Sequence, residues 1–342
     1  MPRDRVTDPT MLYRLRDGVY ARDLLIVAIA ELDVFTRLAE DGPIGFEGLC
    51  EQLRLDARAA DVMVTYLVAL GLLERTPDGR LTVTRTAEDH LVAGSRYDLR
   101  AYFGSLRERP GCVELLNVLR TGEQAAWASA AAAQDWEARL GELEFARRIT
   151  AAMDARGAFL GPALAEALSD VPAKRALDIG GSSGIYACAL VDRDPQLRAT
   201  VLEREPVDHA ARTLLADRGY SARVDVVAAD MFSDPCPAGY DLHLFSHVLH
   251  DWGEQHIRQL FAASFAALQP GGWIVDHDTH INAEKTGPLP VAEYSVLLMH
   301  STPGKCWSVA ELGRFLQQAG FTDVASRPTA ADRTAVLARK PG

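Results

Sequence analysis

Cysteine is scarce and scattered in this sequence. The five residues Cys50, Cys112, Cys188, Cys236 and Cys306 are odd in number, and no two of them form a CxxC pair. That set indicates neither a structural zinc knuckle nor a disulfide framework, and it fits a reducing, cytoplasmic setting. Long apolar runs are missing too. Residues 24–30 are apolar but are closed off by Glu31 and Asp33, well short of the roughly 18 residues that a membrane-spanning helix needs. Arg3, Asp4 and Arg5 have no apolar core behind them, so the N-terminus does not read as a secretory signal. Positive charge is also short: 36 Lys and Arg against 47 Asp and Glu give a formal charge of −11. Such a chain lacks the electrostatic footprint of a non-specific nucleic-acid or anionic-membrane binder. What is present is ordinary for a globular protein, 48% hydrophobic and 24% charged, and 342 residues suffice for two domains. A small-molecule enzyme is therefore the expectation.

The first hundred residues read as short amphipathic helices. Leu24, Leu25, Val27, Ala28, Leu32 and Phe35 recur at helical spacing until Gly42 and Pro43 break the pattern. A second helix is expected over 46–53 and a third over 56–73. Two short strands around Asp78-Gly79 then signal a hairpin. Three helices followed by a hairpin describe a winged helix. Its third helix carries Arg58 but also Asp61 and little other positive charge, so packing or dimerisation is expected of it rather than DNA reading. Residues 101–170 are expected to form a helical linker, Ala-rich between Trp127 and Trp136, with one long helix or two abutting ones over 145–168.

From Arg175 the period changes. Short apolar strands are expected at 176–180, 197–202, 224–228, 242–246 and 273–275, separated by helices at 185–191, 207–217 and 255–268. That alternation predicts an α/β domain over 171–342 with a mostly parallel sheet. Between the first strand and its helix stands Asp178-Ile179-Gly180-Gly181-Ser182-Ser183-Gly184, whose glycines permit a tight turn and close approach of a ligand to the main chain. Glu203 ends the next strand, where an acid can accept hydrogen bonds from ribose hydroxyls. Asp230-Met231-Phe232 ends the third, placing an acid and two apolar side chains where an adenine could lie. A carboxylate at Asp178 disfavours a pyrophosphate and suits a cationic ligand.

This combination resembles the class I S-adenosylmethionine (SAM) methyltransferases, whose D-x-G-G-x-x-G signature is present as DIGGSSG. His247-Val248-Leu249-His250-Asp251-Trp252 and Leu268-Gln269-Pro270-Gly271-Gly272 narrow the resemblance to the plant-type and bacterial antibiotic-pathway small-molecule O-methyltransferases. The resemblance implies a Rossmann-like SAM domain behind an N-terminal winged-helix dimerisation domain (residues 1–100), hence a homodimer. It implies SAM held by Asp178, Gly180, Gly181, Gly184, Glu203, Asp230 and Met231, with Ser246 nearby, and His250 as catalytic base. Where the plant enzymes carry an acid that orients this base, the chain has Pro303-Gly304-Lys305-Cys306-Trp307-Ser308 and no Glu.

A second pattern, His250-Asp251 with Leu298-Met299-His300 and Gly304-Lys305-Cys306, resembles the metal-dependent α-keto acid C-methyltransferases that make β-methyl amino acid precursors. That resemblance implies Fe(II) or Zn(II) on His250, Asp251 and His300, enolising an α-keto acid so that C3 takes the methyl group. It is the leading expectation. Metal-free O-methylation of a phenol by His250 is the alternative, and a non-catalytic SAM- or DNA-binding regulator is the alternative of another class. Asp276, His277, Asp278 and His280 taken alone suggest a metal site, but a surface loop is the preferred reading, with Asp276 a candidate to orient the catalytic group. Tyr294, Met299, Trp307 and Phe103 are candidates for an apolar pocket wall.

Overall fold

The computed structural model describes residues 6–125 and 142–342. The Ala-rich stretch expected between Trp127 and Trp136 lies outside the described residues. The chain forms two compact units, one of residues up to 125 with Ile281–Ser308, the other of residues 142–280 with Val309–Gly342. Among the described residues no helix is long and apolar enough to cross a membrane.

The first unit contains the expected hairpin and the expected second and third helices, but the first, expected from Leu24 onward, is interrupted at Asp33, whose backbone is left-handed at φ +47°: a helix at Ala21–Ile26 with a π turn to Glu31 precedes the break and a separate helix follows it. The helix after the break, the second and the third run over Val34–Asp41, Phe46–Leu53 and Ala57–Ala69, and the strands are β1 (Leu73–Arg75) and β2 (Leu81–Val83), paired antiparallel. Asp56 caps the third helix, its Oδ1 accepting from the Ala59 N–H at 3.0 Å. The surface this helix would need to enter a DNA groove is committed elsewhere. Val62 through Leu67 are buried, and the Arg58 guanidinium donates to the carbonyls of Met299, Thr302 and Gly304.

Those carbonyls belong to a segment that was expected to continue the α/β domain. Ile281–Ser308 instead joins the helical unit. Its helix, Leu289–Ser301, is apolar nearly all round, and Val291, Ala292 and Val296 to Met299 enter the core of that unit. Lys285 and Lys305 both reach Asp61, at 2.8 and 2.5 Å, and fix the segment to the third helix. Tyr294, Met299 and Cys306 are core residues here, Trp307 lies buried beneath the Lys305 ammonium, and Phe103 packs half-buried against the core.

The second unit is built on a seven-stranded sheet of order β5-β4-β3-β6-β7-β9-β8. The strands are β3 (Arg175–Ile179), β4 (Arg198–Glu203), β5 (Val224–Ala228), β6 (Leu242–Ser246), β7 (Trp273–Asp278), β8 (Thr322–Pro328) and β9 (Thr334–Arg339). β3 to β7 pair in parallel, and β9 runs antiparallel to both β7 and β8. Strand order reverses between β3 and β6, and in open α/β sheets ligands bind at the carboxyl ends beside such a reversal.

The long helix is continuous over Leu143–Ala167, with Pro162 inside it. It packs on the helix Ile185–Arg193 through glycine. A Cβ on Gly157 would run into the Ile185 side chain, and one on Gly161 would stand 3.0 Å from the Ala189 Cβ. Gly157→Ala should therefore destabilise the protein, although Ala is the better helix former. Overpacking costs roughly 1–3 kcal/mol, against about 1 kcal/mol gained in propensity. A lower urea midpoint is expected, and a raised one would contradict this close packing.

Candidate active site

The Gly-rich turn joins β3 to the helix Ile185–Arg193. Gly180 and Gly184 both adopt left-handed backbone, with φ of +68° and +75°. Gly181 has a different reason to lack a side chain: a Cβ there would lie 2.5 Å from the Asp178 carboxyl carbon. The turn thus folds directly over Asp178. That carboxylate is buried, and neither oxygen has a hydrogen-bond partner among the described residues. Burial, and then the charge of Glu203, push the Asp178 carboxyl up to about 7.

Glu203, at the end of β4, is pinned by main-chain donors. Its Oε1 accepts from the Ser182 N–H at 2.9 Å and its Oε2 from the Arg204 N–H at 3.1 Å. Burial raises it as well, to about 7. Asp230 follows β5, where its Oδ1 accepts from the N–H groups of Phe232 and Ser233 and shapes the turn that presents Met231 and Phe232. The Phe232 ring stands edge-on to Trp252, with centroids 4.5 Å apart.

These groups line one open cleft at the carboxyl ends of the strands. Gly180, Gly181, Glu203, Asp230, Met231, Ser246 and Asp251 all face it, while Asp178 and Gly184 lie behind the turn that forms its floor. Ile149, Thr150, Met153 and Arg156, from the long helix, form a wall that sequence reasoning missed. Nothing in their spacing marks them. The residues fit SAM: a glycine turn along the cleft floor, a buried carboxylate close beneath it whose charge favours a cation, a fixed carboxylate for hydroxyl donors and apolar side chains for a ring.

Beyond β6 the chain turns sharply. His247 has left-handed backbone at φ +57°, and His250 and Asp251 follow in a short 3-10 turn. His250 is buried, and its Nδ1 donates to Asp278 Oδ1 at 2.8 Å. Asp278 is the last residue of β7, and it also accepts from the Thr279 N–H at 2.7 Å. The His247 Nδ1 lies 3.1 Å from the same carboxylate. Burial alone would raise Asp278, but the two imidazoles hold it well below the usual carboxylate range. Burial alone would depress His250, yet Asp278 and Asp251 together raise it. His247 goes the other way: burial, then Arg156, keep it well below the ordinary imidazole value. The acid that holds the base, missing from the Pro303–Ser308 stretch, is supplied by the end of β7.

Asp276, His277, Asp278 and His280 are therefore not surface-loop residues. β7 runs on to Asp278, three residues past its expected end, and all four side chains are buried. Asp276 pairs with His280 at 2.9 Å, while the base is held by Asp278. His277 reaches Thr329 at 3.0 Å and is depressed to about 3, chiefly by burial.

The expected metal ligands are divided between the two units: His250 and Asp251 belong to the α/β unit and His300 to the helical one. Asp251 stands 3.6 Å from the His250 Nε2, but His300 is occupied within the helical unit. The His300 Nε2 pairs with Glu114 Oε2 at 2.8 Å, its Nδ1 with Ser301 Oγ at 2.9 Å, and its ring stacks on Tyr20 at 3.9 Å. With both nitrogens engaged, the residues present do not fit Fe(II) or Zn(II) on His250, Asp251 and His300.

Residues 113–322 match the O-methyltransferase domain model. The 3-hydroxy-5-methyl-1-naphthoate 3-O-methyltransferase of Streptomyces sahachiroi is 30% identical over 336 residues, covering 92% of this chain and 90% of that one. The tetracenomycin polyketide synthesis 8-O-methyl transferase of Streptomyces glaucescens is 30% identical over 99% of both chains. The structure of an O-methyltransferase family 2 protein from Planctomyces limnophilus in complex with apigenin superposes with a TM-score of 0.87 at 30% identity, covering 99% of this chain and 98% of that one. The chain belongs to the O-methyltransferase family and is a SAM-dependent methyltransferase of small molecules.

Proposed function

We propose that the enzyme methylates an aromatic hydroxyl group, with His250 as general base. The observation that carries this reading is the buried hydrogen bond from the His250 Nδ1 to Asp278. Donating there leaves the Nε2 lone pair as the proton acceptor. SAM, bound by Asp178, Glu203, Asp230 and the Gly180–Gly184 turn, supplies an activated methyl group. His250 takes the hydroxyl proton as the oxygen becomes nucleophilic, and Asp278 and Asp251 stabilise the resulting imidazolium. Met231, Phe232 and Trp252 give the cleft apolar surface for the adenine and the acceptor ring. The activities for which the two Streptomyces relatives are named, each an O-methylation, support oxygen over carbon.

Against the α-keto acid reading speaks the engagement of both His300 nitrogens, by Glu114 and by Ser301. The two readings separate in one assay: chelator-treated enzyme with labelled SAM, offered hydroxynaphthoates and flavones on one side and phenylpyruvate on the other. Transfer to a phenolic acceptor that survives chelation is expected. Transfer confined to the keto acid, and restored by metal, would overturn the proposal. Turnover of either kind excludes a purely regulatory SAM binder.

The proposal includes a homodimer. On the helix Thr10–Asp17 the apolar residues Met11, Leu12 and Leu15 are 62%, 69% and 64% exposed, and Val19 follows at 53%. A helix that turns its apolar side chains to water needs a partner surface. Light scattering should give twice the chain mass of 37.3 kDa, and Leu12→Glu with Leu15→Glu should reduce it to one chain. A monomeric parent protein would contradict the dimer.

A further inference from the structure

Methyl transfer by His250 and Asp278 leaves one neighbour unused. His247 is fully buried, is held at a strained left-handed backbone angle, and neither of its ring nitrogens makes a hydrogen bond of good geometry. Its Nδ1 nevertheless points at the carboxylate that His250 also uses. We propose that His247, His250 and Asp278 form a zinc(II) site, and that an ion there switches the catalytic base off. Its inhibitory consequence rests on the base reading above, but ion binding itself does not.

The geometry is close to what a tetrahedral ion requires. One ligand atom from each of the three buried residues lies within 4.8 Å of the others. The His250 Nδ1 is 2.8 Å and the His247 Nδ1 3.1 Å from Asp278 oxygens. Zinc with bonds of about 2.0–2.1 Å sets its ligand atoms about 3.3 Å apart. Opening the cluster by a few tenths of an ångström therefore admits the ion between groups that now share hydrogen bonds. The donor set suits the metal as well. Two neutral imidazoles and one carboxylate leave a fourth position open, a common arrangement for zinc.

Occupation has a definite consequence for the base. An ion on the Nδ1 lone pairs leaves each neutral imidazole with its proton on Nε2 rather than Nδ1, and the imidazolium form of His250, which Asp278 and Asp251 favour, releases one proton to the solvent on binding. The His250 Nε2 then carries hydrogen and has no lone pair to accept a proton from substrate. Zinc thus acts by trapping the wrong tautomer, even where the substrate position is open. His300 and Asp251 take no part.

Titration of chelator-treated, full-length enzyme with zinc sulfate alone, without acceptor, tests this by calorimetry. S-adenosylhomocysteine binding in the same preparation reports folding. One equivalent of zinc should bind, cobalt(II) should give the intense visible band of a tetrahedral site, and zinc X-ray absorption should show two imidazoles in the first shell. His247→Asn, which tolerates left-handed backbone, should weaken zinc binding at least tenfold. His300→Gln should leave it within twofold. Zinc should also inhibit transfer, reversibly by chelator. No zinc uptake by enzyme that binds S-adenosylhomocysteine, or undiminished affinity in His247→Asn, overturns the site. If His247→Asn fails to fold, an X-ray absorption spectrum of the parent lacking two imidazoles does the same. Phenol methylation without zinc binding would leave the base reading intact, whereas zinc binding without phenol methylation would leave the metal site and remove its inhibitory role.

Discussion

His250→Ala should lower kcat by roughly 10²–10⁴-fold, the usual contribution of a positioned general base. S-adenosylhomocysteine affinity should stay within a few-fold, because the cofactor cleft is lined by other residues. Asp278→Asn should cost a comparable factor. The amide keeps the carboxylate's shape but bears no charge to stabilise an imidazolium, and turning its NH2 toward His250 would favour the tautomer that lacks a lone pair on Nε2. Asp251→Asn should cost less, since its Oδ1 is 3.6 Å from the His250 Nε2 and adds charge rather than a hydrogen bond. The ordering His250 and Asp278 well above Asp251, read from single-turnover rates at saturating SAM, is the specific claim. A His250→Ala rate within fivefold of the parent would remove the general-base mechanism.

What was legible in the sequence follows the range over which each feature is determined. The turn at Asp178–Gly184 is local: glycine supplies its left-handed positions, so residue type alone reveals it. β3 to β6 are apolar runs between turns and fall within two residues of expectation. β8 was not seen because Thr322–Pro328 is an exposed edge strand without apolar alternation, and only its pairing with β9 defines it. The Leu289–Ser301 helix was visible as an apolar segment, but apolar character does not say which core it enters. The same limit governs the catalytic pair. Parallel pairing of β6 with β7 sets Ser246 opposite His277, so the last residue of β7 meets the turn just beyond β6 although His250 and Asp278 are 28 positions apart. Until that register is known, Asp276 and Asp278 are equivalent. His300 shows the converse limit. Its local context resembled a ligand, but Glu114, 186 positions away, claims its ring.

Cofactor affinity should fall as pH drops through about 7, with SAM uptake releasing protons below that point. Asp178 and Glu203 are each held up at about 7 in the cofactor-free protein, from ordinary values of 3.8 and 4.5. A carboxyl raised in this way binds a proton in the folded state, between its unfolded and folded values, that the unfolded chain does not hold. The pair therefore favours folding increasingly as pH falls from about 7 toward 4, and opposes it above 7, where two charges are forced into a poorly solvated pocket. SAM inverts the preference. Its sulfonium and its ribose hydroxyl donors interact best with ionised carboxylates, so at low pH the protons must leave before those contacts form. Affinity should weaken by up to about tenfold per pH unit for each carboxyl that must ionise. Below 7, calorimetry in two buffers of different ionisation enthalpy should give different apparent heats; a unit or more above 7 the heats should converge. S-adenosylhomocysteine, which lacks the sulfonium charge, should show a shallower dependence. If SAM affinity is flat from about pH 6 to 8 and no buffer-dependent heat appears, Asp178 and Glu203 are already ionised in the free enzyme, and the buried carboxylate beneath Gly181 has a partner other than the cofactor's positive charge.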